Sequence, residues 1–392
     1  MQQYLRTRYF VFTLIACTLA VVRGFSTRGE GSGATGGAYN GKYIPLKWAG
    51  SSKNVWSSVL DPQLRYFVKI DNGRIQIWTF SADFTSGEIV YDNGDRGNEP
   101  LQRESQYEAT GFAVATKGGL AYVADYPYAS HGESSGYKLL LWNPESRETK
   151  RLPWGDEFGK LILANPGGTE LTRFHPESDK RQAVVEICNL NGQPIRRFKV
   201  EGELPNSMCG LFLMDKWDNI YVSERRRDQT NCVLGMIRSD KKSHDVISRG
   251  TQLLQRDSQT AGELYKSTPL LLADGSTLAT YVRDVKDGRI LIEFYREGKL
   301  VKSANDPVPN DGAEARLAIT ADGKGVMTQR TSGDEKGLIG VWDIETGKYS
   351  EIVKSTEVRY VFPWVQGRYA PVWTTTDGET YEGGILEISR MK

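Results

Sequence analysis

Four arginines at similar places in successive parts of the chain are its clearest candidates for ligand chemistry. Each follows a short apolar segment and precedes a polar stretch: Arg173, Arg225, Arg283 and Arg330. A guanidinium group presents five N–H donors in a planar fork, which suits bidentate hydrogen bonds to a carboxylate, phosphate or sulfate. If the fold brings these side chains together, we expect an anion-binding site. Alternatively, they simply end strands, where they are solvated or paired with acidic neighbours.

Two histidines and a glutamate make a weaker case for catalysis. His131 or His175 could work with a carboxylate such as Glu224 as a general acid and base. The chain contains only three histidines, and it has no nucleophile elbow, glycine-rich phosphate loop or HExxH motif. A non-catalytic binding or interaction scaffold is therefore the leading interpretation. A lyase or lactonase-like hydrolase acting on a small anionic or sugar-derived substrate is the alternative, and we expect no metal site and no cofactor.

A repeat along most of the chain must position these residues. Seven times, at intervals of roughly 50 residues, a short apolar strand, a tight turn and a second apolar strand recur. The turns are rich in Gly, Asp and Asn, which adopt positive φ at little cost. A third strand follows, often ending in an aromatic residue such as Trp78, Trp142 or Trp342. A more polar fourth strand then completes each unit.

Seven units of four strands predict an all-β fold, a seven-bladed β-propeller of four-stranded antiparallel blades. A β-sandwich would space its hairpins at about 8 to 12 residues without this larger repeat. The last unit has only three strands, and the segment Tyr43–Trp48 is a strand without a unit. We expect this N-terminal strand to complete the last blade and close the ring. The propeller would then occupy residues 42–392.

Two segments carry resemblances to known propellers. Gly340–Gly347, with the sequence GVWDIETG, resembles the end of a WD-type repeat. Leu213–Glu224, with the sequence LMDKWDNIYVSE, is similar to a phrase of NHL-type, gluconolactonase-like and streptogramin-lyase-like propellers. Each match covers a single blade, and most units lack the Gly-His and Trp-Asp pairs of WD repeats. The resemblance therefore implies the fold and no activity.

The connections between strands predict which face of the propeller is functional. Connections from first to second and from third to fourth strands reach one face, here called the short-turn face. The remaining connections reach the opposite, long-loop face, and they include the long segments 92–106, 125–137 and 249–266. Because long loops on a rigid scaffold commonly carry binding residues, we expect function on the long-loop face. The loop Tyr126–Tyr137 has a composition suited to carbohydrate or peptide contact, although it could equally be a mobile surface loop.

The N-terminus predicts export. Arg6 and Arg8 precede an apolar run over residues 9–22, which is shorter than the roughly 20 residues that a membrane-spanning helix needs. We therefore expect a signal peptide over residues 1–24, a flexible Gly/Ser-rich linker over residues 25–41, and a secreted or periplasmic protein. Leu14–Cys17 also resembles a bacterial lipobox. A lipid on Cys17 would be the protein's one contact with a membrane.

Charge and cysteine content limit the partners. The net charge of +1 gives no electrostatic reason to expect nucleic acid as a partner. Cys188, Cys209 and Cys232 would remain after export, without a CxxC pair, so buried thiols are expected and one disulfide stays open. We expect a monomer that binds an unknown protein, a small anionic ligand or a carbohydrate.

Overall fold

The computed structural model describes most of the chain between Ala38 and Met391. The described residues are 38–53, 55–71, 73–94, 108–125, 137–154, 158, 162–177, 182–201, 212–225, 232–238, 244–246, 252–253, 270–283, 289–354 and 357–391. The predicted signal peptide, Cys17, His131 and most of the predicted linker lie outside these ranges.

Seven four-stranded antiparallel blades form a ring, so the chain is a seven-bladed β-propeller, as the repeat predicts. The described part begins with β1 (Tyr39–Pro45), a 3-10 turn (Lys47–Ala49) and β2 (Ser51–Ser52). Blade 1 consists of β3 (Val55–Leu60), β4 (Phe67–Asp71), β5 (Arg74–Phe80) and β6 (Gly87–Asp92). Blade 2 consists of β7 (Glu108–Thr116), β8 (Gly119–Asp125), β9 (Lys138–Trp142) and β10 (Thr149–Leu152).

The third and fourth blades repeat this order. Blade 3 consists of β11 (Ile162–Ala164), β12 (Glu170–Glu177), β13 (Gln182–Asn189) and β14 (Pro194–Glu201). Blade 4 consists of β15 (Phe212–Met214), β16 (Ile220–Arg225), β17 (Cys232–Ile237) and β18 (His244–Val246). A short additional strand, β19 (Gln252–Leu253), follows and pairs with both β17 of blade 4 and the second strand of blade 5. Blades 4 and 5 are therefore joined by backbone pairing.

The remaining blades complete the ring. Blade 5 consists of β20 (Leu270–Leu271), β21 (Thr277–Arg283), β22 (Ile290–Arg296) and β23 (Lys299–Asn305). Blade 6 consists of β24 (Glu314–Ile319), β25 (Gly325–Arg330), β26 (Leu338–Asp343) and β27 (Tyr349–Lys354). Blade 7 consists of β28 (Glu357–Val361), β29 (Tyr369–Thr375) and β30 (Tyr381–Arg390), with β1 as its outer strand. The first strands of neighbouring blades contact one another, for example β3 with β7, which identifies them as the inner strands.

The predicted closure of the ring by the N-terminal strand is confirmed. Strand β1 pairs with β30 in an antiparallel register that runs from Tyr39 opposite Arg390 to Pro45 opposite Gly384. It begins at Tyr39, three residues before the boundary that composition suggested. The boundary differs because of Gly41. By composition this glycine fits a flexible linker, but in the fold it is a strand residue whose lack of a side chain is required by packing. A β-carbon there would lie 2.6 Å from the carbonyl oxygen of Glu387.

The hydrophobic core is divided into clusters, several of which lie between neighbouring blades. One cluster joins Val68 and Ile77 of blade 1 to Leu140 and Trp142 of blade 2, all less than a tenth exposed. Each blade therefore buries both faces against its neighbours, and the ring supplies a rigid support for its connections. Among the described residues, no helix is long and apolar enough to cross a membrane.

The one cysteine whose side chain is described behaves as the sequence predicts. Cys188 lies in β13 as a fully buried free thiol. Burial raises the pKa of this thiol to about 11, which disfavours the reactive thiolate. Cys209 lies outside the described residues, as does the side chain of Cys232, so their pairing stays a prediction.

Candidate functional site

Arg173, the first of the four candidate arginines, is buried within blade 3. Its Nε donates to Glu186 at 2.6 Å, one terminal nitrogen contacts the same carboxylate, and the other donates to the carbonyl oxygen of Pro153 at 2.7 Å. The guanidinium also lies over the ring of Phe158, 4.4 Å from its centroid. The protein itself thus occupies the donors and one face of this guanidinium group.

Arg330 is also paired with carboxylates. It lies at the end of β25, opposite Glu314 of the inner strand β24, and its Nε is 3.1 Å from Oε1 of Glu314. Glu335, in the following loop, approaches the same Nε at 3.5 Å. Glu314 is buried and also accepts a hydrogen bond from Nε1 of Trp342 at 2.9 Å. Arg330, whose side chain is one-third exposed, thus already has two anionic partners within blade 6.

Arg225 and Arg283 end β16 and β21, and only their backbone is described. Arg225 lies opposite Cys232 of β17, which lies opposite Leu253 of β19. Gln252 of β19 in turn lies opposite Arg283. Three strand spacings, about 14 Å at about 4.8 Å each, therefore separate the two arginines. The backbone of β19 therefore lies between Arg225 and Arg283, whereas Arg173 and Arg330 are paired with carboxylates of their own blades.

Two of the three catalytic candidates lie in neighbouring blades, and the structure describes only their backbone. His175 is in β12 of blade 3, opposite Val184, and Glu224 is in β16 of blade 4, opposite Val233. His131 and most of the loop Tyr126–Tyr137 lie outside the described residues. Tyr137 itself packs against the core between blades 2 and 3. Within the described part of the chain, no three or more His, Cys, Asp or Glu side chains are grouped to hold a metal ion.

Two aromatic side chains are exposed on inner strands of adjacent blades. Trp56 of β3 is 41% exposed and Tyr360 of β28 is 42% exposed. Such exposure is unusual, because both faces of a blade are covered by its neighbours. Large exposed aromatic groups are typical of binding surfaces, since they bury much area with few rotatable bonds.

A β-bulge lies beside each of these aromatic residues. The ladder between β3 and β4 shifts register between Val55 and Ser57, which leaves Trp56 without a partner. The ladder between β28 and β29 shifts between Val358 and Tyr360, which leaves Arg359 without one. Bulges turn side chains away from the regular alternation and are frequent beside binding sites. The bulge in β3 lies near the long-loop end of that strand, and the bulge in β28 lies at the middle of its strand.

The surroundings of Tyr360 are aromatic and contain one exposed ion pair. The ring of Tyr381 lies 5.7 Å from that of Tyr360, centroid to centroid. Nε of Arg359 lies 3.2 Å from Oε1 of Glu357, and both side chains are about two-fifths exposed. Partial burial, and then the neighbouring Tyr381, raises the pKa of Tyr360, so its phenol is uncharged at neutral pH. We call Trp56, Glu357, Arg359, Tyr360 and Tyr381 the aromatic site.

A buried lysine lies between blades 7 and 1, close to the ladder partner of Tyr360. Lys69 of β4 is only 4% exposed, and its Nζ donates to the carbonyl oxygen of Ala49 at 2.9 Å. The ammonium lies 5.5 Å from the ring of Trp78 and 5.8 Å from the ring of Trp373, which is the ladder partner of Tyr360. Burial lowers the pKa of Lys69. The contact joins blade 7, blade 1 and the N-terminal segment beneath the aromatic site.

The aromatic site was not among the residues that the sequence singled out, because aromatic residues on strands usually belong to the core. The signal available in the sequence is weak. Trp56 is followed by Ser57 and Ser58, two polar residues in a strand otherwise expected to be apolar. The bulge that exposes Trp56 depends on its pairing with β4, which the sequence of β3 alone does not specify.

Comparison with known proteins agrees with the fold. No protein-family model matches the chain, and no curated protein matches it. Among solved structures, the oligogalacturonate lyase in complex with manganese is similar at 10% identity and a TM-score of 0.51, covering 86% of this chain and 90% of the lyase. The C-terminal WD40 domain of Sif2 is similar at 12% identity and a TM-score of 0.47, with 89% and 99% covered.

A third similar structure is the β-propeller domain of the trilobed protease from Pyrococcus furiosus. It is 10% identical, with a TM-score of 0.49 and with 83% of this chain and 91% of that domain covered. At such low identity, these likenesses concern the fold alone. Propellers carry many unrelated functions. Function therefore has to be argued from the residues of this chain.

Proposed function

We propose that this propeller is a binding scaffold that holds a segment of a partner protein at the aromatic site, with Trp56 and Tyr360 as anchors. The observation that carries the proposal is the pair of exposed aromatic side chains on adjacent inner strands. Trp, Tyr and Arg dominate the binding energy of protein interfaces, and all three occur in the aromatic site. The rigid ring behind them reduces the entropy lost on binding.

The charges of the described side chains favour a peptide over a small anion. Arg173 and Arg330 are held by carboxylates of their own blades, and Arg359 is paired with Glu357. An anion that binds one of these three arginines would have to compete with the carboxylate already paired with it. An uncharged peptide segment with aromatic or apolar side chains avoids this competition, and its polar backbone groups can hydrogen-bond to the exposed Arg359–Glu357 pair.

The alternative of an enzyme stays a prediction of the sequence. It depends on His131, His175 and Glu224, whose side chains lie outside the described part. Variants of these three residues that lose turnover of a lactone or a uronic-acid sugar would support it. The aromatic site, by contrast, contains one carboxylate and no histidine, which suits binding better than acid–base chemistry.

The proposed scaffold acts outside the cytoplasm, by virtue of the signal peptide expected over residues 1–24. Cell fractionation, with mass determination of the isolated protein, tests this part. Export with cleavage near residue 24 supports it, and lipidation would appear as a chain that begins at Cys17 with added acyl mass. A full-length protein in the cytoplasmic fraction would contradict it.

A peptide-display selection against the purified propeller tests the proposed function. We expect recovered peptides to bind Trp56→Ala and Tyr360→Ala at least tenfold more weakly than the wild type, a change of about 1.4 kcal/mol or more. Trp217→Ala is the matched control, since Trp217 is 39% exposed but lies in the turn between β15 and β16 on the short-turn face. Binding that depends equally on Trp217 would contradict the proposed location.

Thermal-shift assays with oligosaccharides, citrate and phosphate complete the experiment. If an oligosaccharide stabilises the wild type but not Trp56→Ala, the site is a carbohydrate site and the peptide proposal is wrong. If phosphate or citrate does so, the ligand is an anion after all. We expect neither class to produce a shift that depends on Trp56.

A further inference from the structure

The outer strand of blade 5, β23, is the most exposed of the outer strands whose side chains are described. Six of its seven side chains are exposed. Leu300 is 52% exposed and the next residue, Val301, is 53% exposed. Single exposed apolar residues are common on protein surfaces, whereas contiguous ones are typical of interaction surfaces. This strand is therefore a candidate contact surface.

The backbone of β23 also has a free edge. The strand pairs with β22 on one side and is the last strand of its sheet on the other, so no described strand uses the hydrogen-bonding groups of its outer edge. Other outer strands end their sheets too, but β10 has only four residues and β14 buries Phe198. Because β23 presents seven residues in extended conformation, a segment of another chain can add to it as a further strand.

Side chains of β23 lie on both faces of this edge. Leu300 is the ladder partner of Tyr295, which packs in the core between blades 4 and 5. Lys302 is the ladder partner of Phe294, which packs in the core between blades 5 and 6. Directly opposed side chains share a face, so Leu300 lies on the blade 4 side and Lys302 on the blade 6 side. A register shift leaves Val301, between them, without a ladder partner.

Two lysines give this edge a positive charge. Strand β23 contains Lys299 and Lys302 and no acidic residue. Neither lysine forms an ion pair with a described residue, and Nζ of Lys302 lies 5.5 Å from the ring centroid of Phe294. Lys299 lies on the same face as Lys302, because its ladder partner Arg296 is two residues from Phe294. The blade 6 side of the edge is thus cationic.

These lysines decide between two kinds of partner. Two copies of β23 in antiparallel pairing would bring four lysines onto one face of the joined sheet, and like charges across a ladder destabilise pairing. Acidic side chains on an added strand would instead lie opposite Lys299 and Lys302. The charge of the edge therefore disfavours a second copy of this chain and favours an acidic partner.

We propose that the outer edge of β23 is a docking site that takes an extended acidic segment of a partner protein by strand addition. Backbone hydrogen bonds to β23 hold the segment, its acidic side chains pair with Lys299 and Lys302, and an apolar side chain on its other face packs against Leu300. The anchors of the aromatic site, Trp56 and Tyr360, lie on inner strands of blades 1 and 7. The two sites are therefore separate, and this one does not depend on the function proposed above.

The first arm of the experiment tests the location of the site. Displayed peptides in which acidic and apolar residues alternate are selected against the variant Trp56→Ala, Tyr360→Ala, which lacks both anchors of the aromatic site. We expect selected peptides to bind the further variant Lys299→Glu, Lys302→Glu weaker by about tenfold or more. Circular dichroism confirms that each variant folds.

The matched control is Lys150→Glu, Arg151→Glu, which reverses the same charge at exposed positions of β10, the outer strand of blade 2. It should weaken binding by less than about twofold. Equal losses in the two variants would mean that the peptides are attracted by charge alone, and the proposal would be overturned. A selection that yields no peptide would overturn it as well, while the aromatic site would remain to be tested with the unaltered propeller.

The second arm tests strand addition with a selected peptide made in two N-methylated forms. In an extended peptide, the N–H groups of alternate residues point to opposite edges. One form is methylated on the first set of alternate residues and the other on the second set. We expect only the form methylated towards β23 to bind weaker by about tenfold or more, because it loses its hydrogen bonds to the strand. Equal binding of the two forms would overturn strand addition.

Discussion

The indole Nε1 of Trp373 donates a hydrogen bond to Oγ of Ser58 at 2.9 Å, across a separation of 315 residues in the chain. Trp373 lies in the second strand of blade 7 and Ser58 in the inner strand of blade 1, and both are almost completely buried. The ring is therefore closed twice. One closure is the pairing of β1 with β30, and the other is this contact between the last and the first blade.

Replacing Ser58 by alanine removes the acceptor and leaves the indole N–H buried without a partner. We expect Ser58→Ala to lower the free energy of unfolding by about 1–3 kcal/mol, the usual desolvation penalty of such a group. Urea titration followed by tryptophan fluorescence measures the change. Ser303→Ala, at an exposed position of β23, is the control and should change stability by less than about 0.5 kcal/mol. Equal effects of the two substitutions would show that the contact contributes nothing.

Removing β1 should open the ring. Deletion of residues 39–45 leaves the outer edge of β30 unpaired and exposes the core beside Leu386 and Ile388. We expect a large drop in the melting temperature and increased binding of a hydrophobic dye. A synthetic peptide of residues 38–52 should restore much of the lost stability, whereas a scrambled peptide of the same composition should not. An unchanged melting curve after the deletion would contradict the closure.

The ion pair between Arg173 and Glu186 should be structural. Arg173→Met leaves the buried carboxylate of Glu186 without its main partner, and we expect a loss of about 3–5 kcal/mol in the free energy of unfolding. The double variant Arg173→Met, Glu186→Leu should recover much of this loss, because it removes the stranded charge as well. Chemical denaturation measures both. If Arg173→Met keeps full stability but abolishes a phosphate-induced thermal shift, Arg173 is a ligand group after all.

Lys69 should make stability depend on pH in the alkaline range. Because burial lowers its pKa in the folded protein below the ordinary 10.5, the unfolded chain binds more protons between these two pKa values. The stability of the wild type relative to Lys69→Met should therefore rise as the pH increases towards 10.5. Denaturation of both proteins at several pH values gives the difference between their free energies of unfolding. The titration of tyrosines cancels in this difference, because both proteins contain the same tyrosines. A flat difference would mean that the ammonium is well solvated.

The fold followed from the sequence because a propeller repeats its local signals. Each blade needs the same tight turns and apolar strands, so seven copies support one interpretation. The last unit lacked a fourth strand, and the extra strand near Tyr43 was the one segment that could supply it. The boundary at Gly41 was less visible, since glycine has the same appearance in a flexible linker and in a strand where a β-carbon would collide with Glu387.

The candidate site was harder to predict, because it depends on partners across strands. Arg173 occurs where a ligand-binding arginine could stand, but its ladder partner is Glu186, and only the register between β12 and β13 brings the two together. Likewise, Arg225 and Arg283 occupy similar positions in their blades, yet β19 lies between them. The exposure of Trp56 depends on a bulge, and one inserted residue in a ladder has no distinct signature in the sequence.

The place of β1 in the last blade also has a consequence for synthesis. The ribosome makes this strand first, and its partner β30 emerges roughly 350 residues later. At about 5–20 residues per second, the wait is on the order of 20 to 70 s. During that interval blades 1 to 6 can form while β1 still lacks its ladder partner. We therefore expect the yield of folded protein to depend on how quickly translation reaches the final strand.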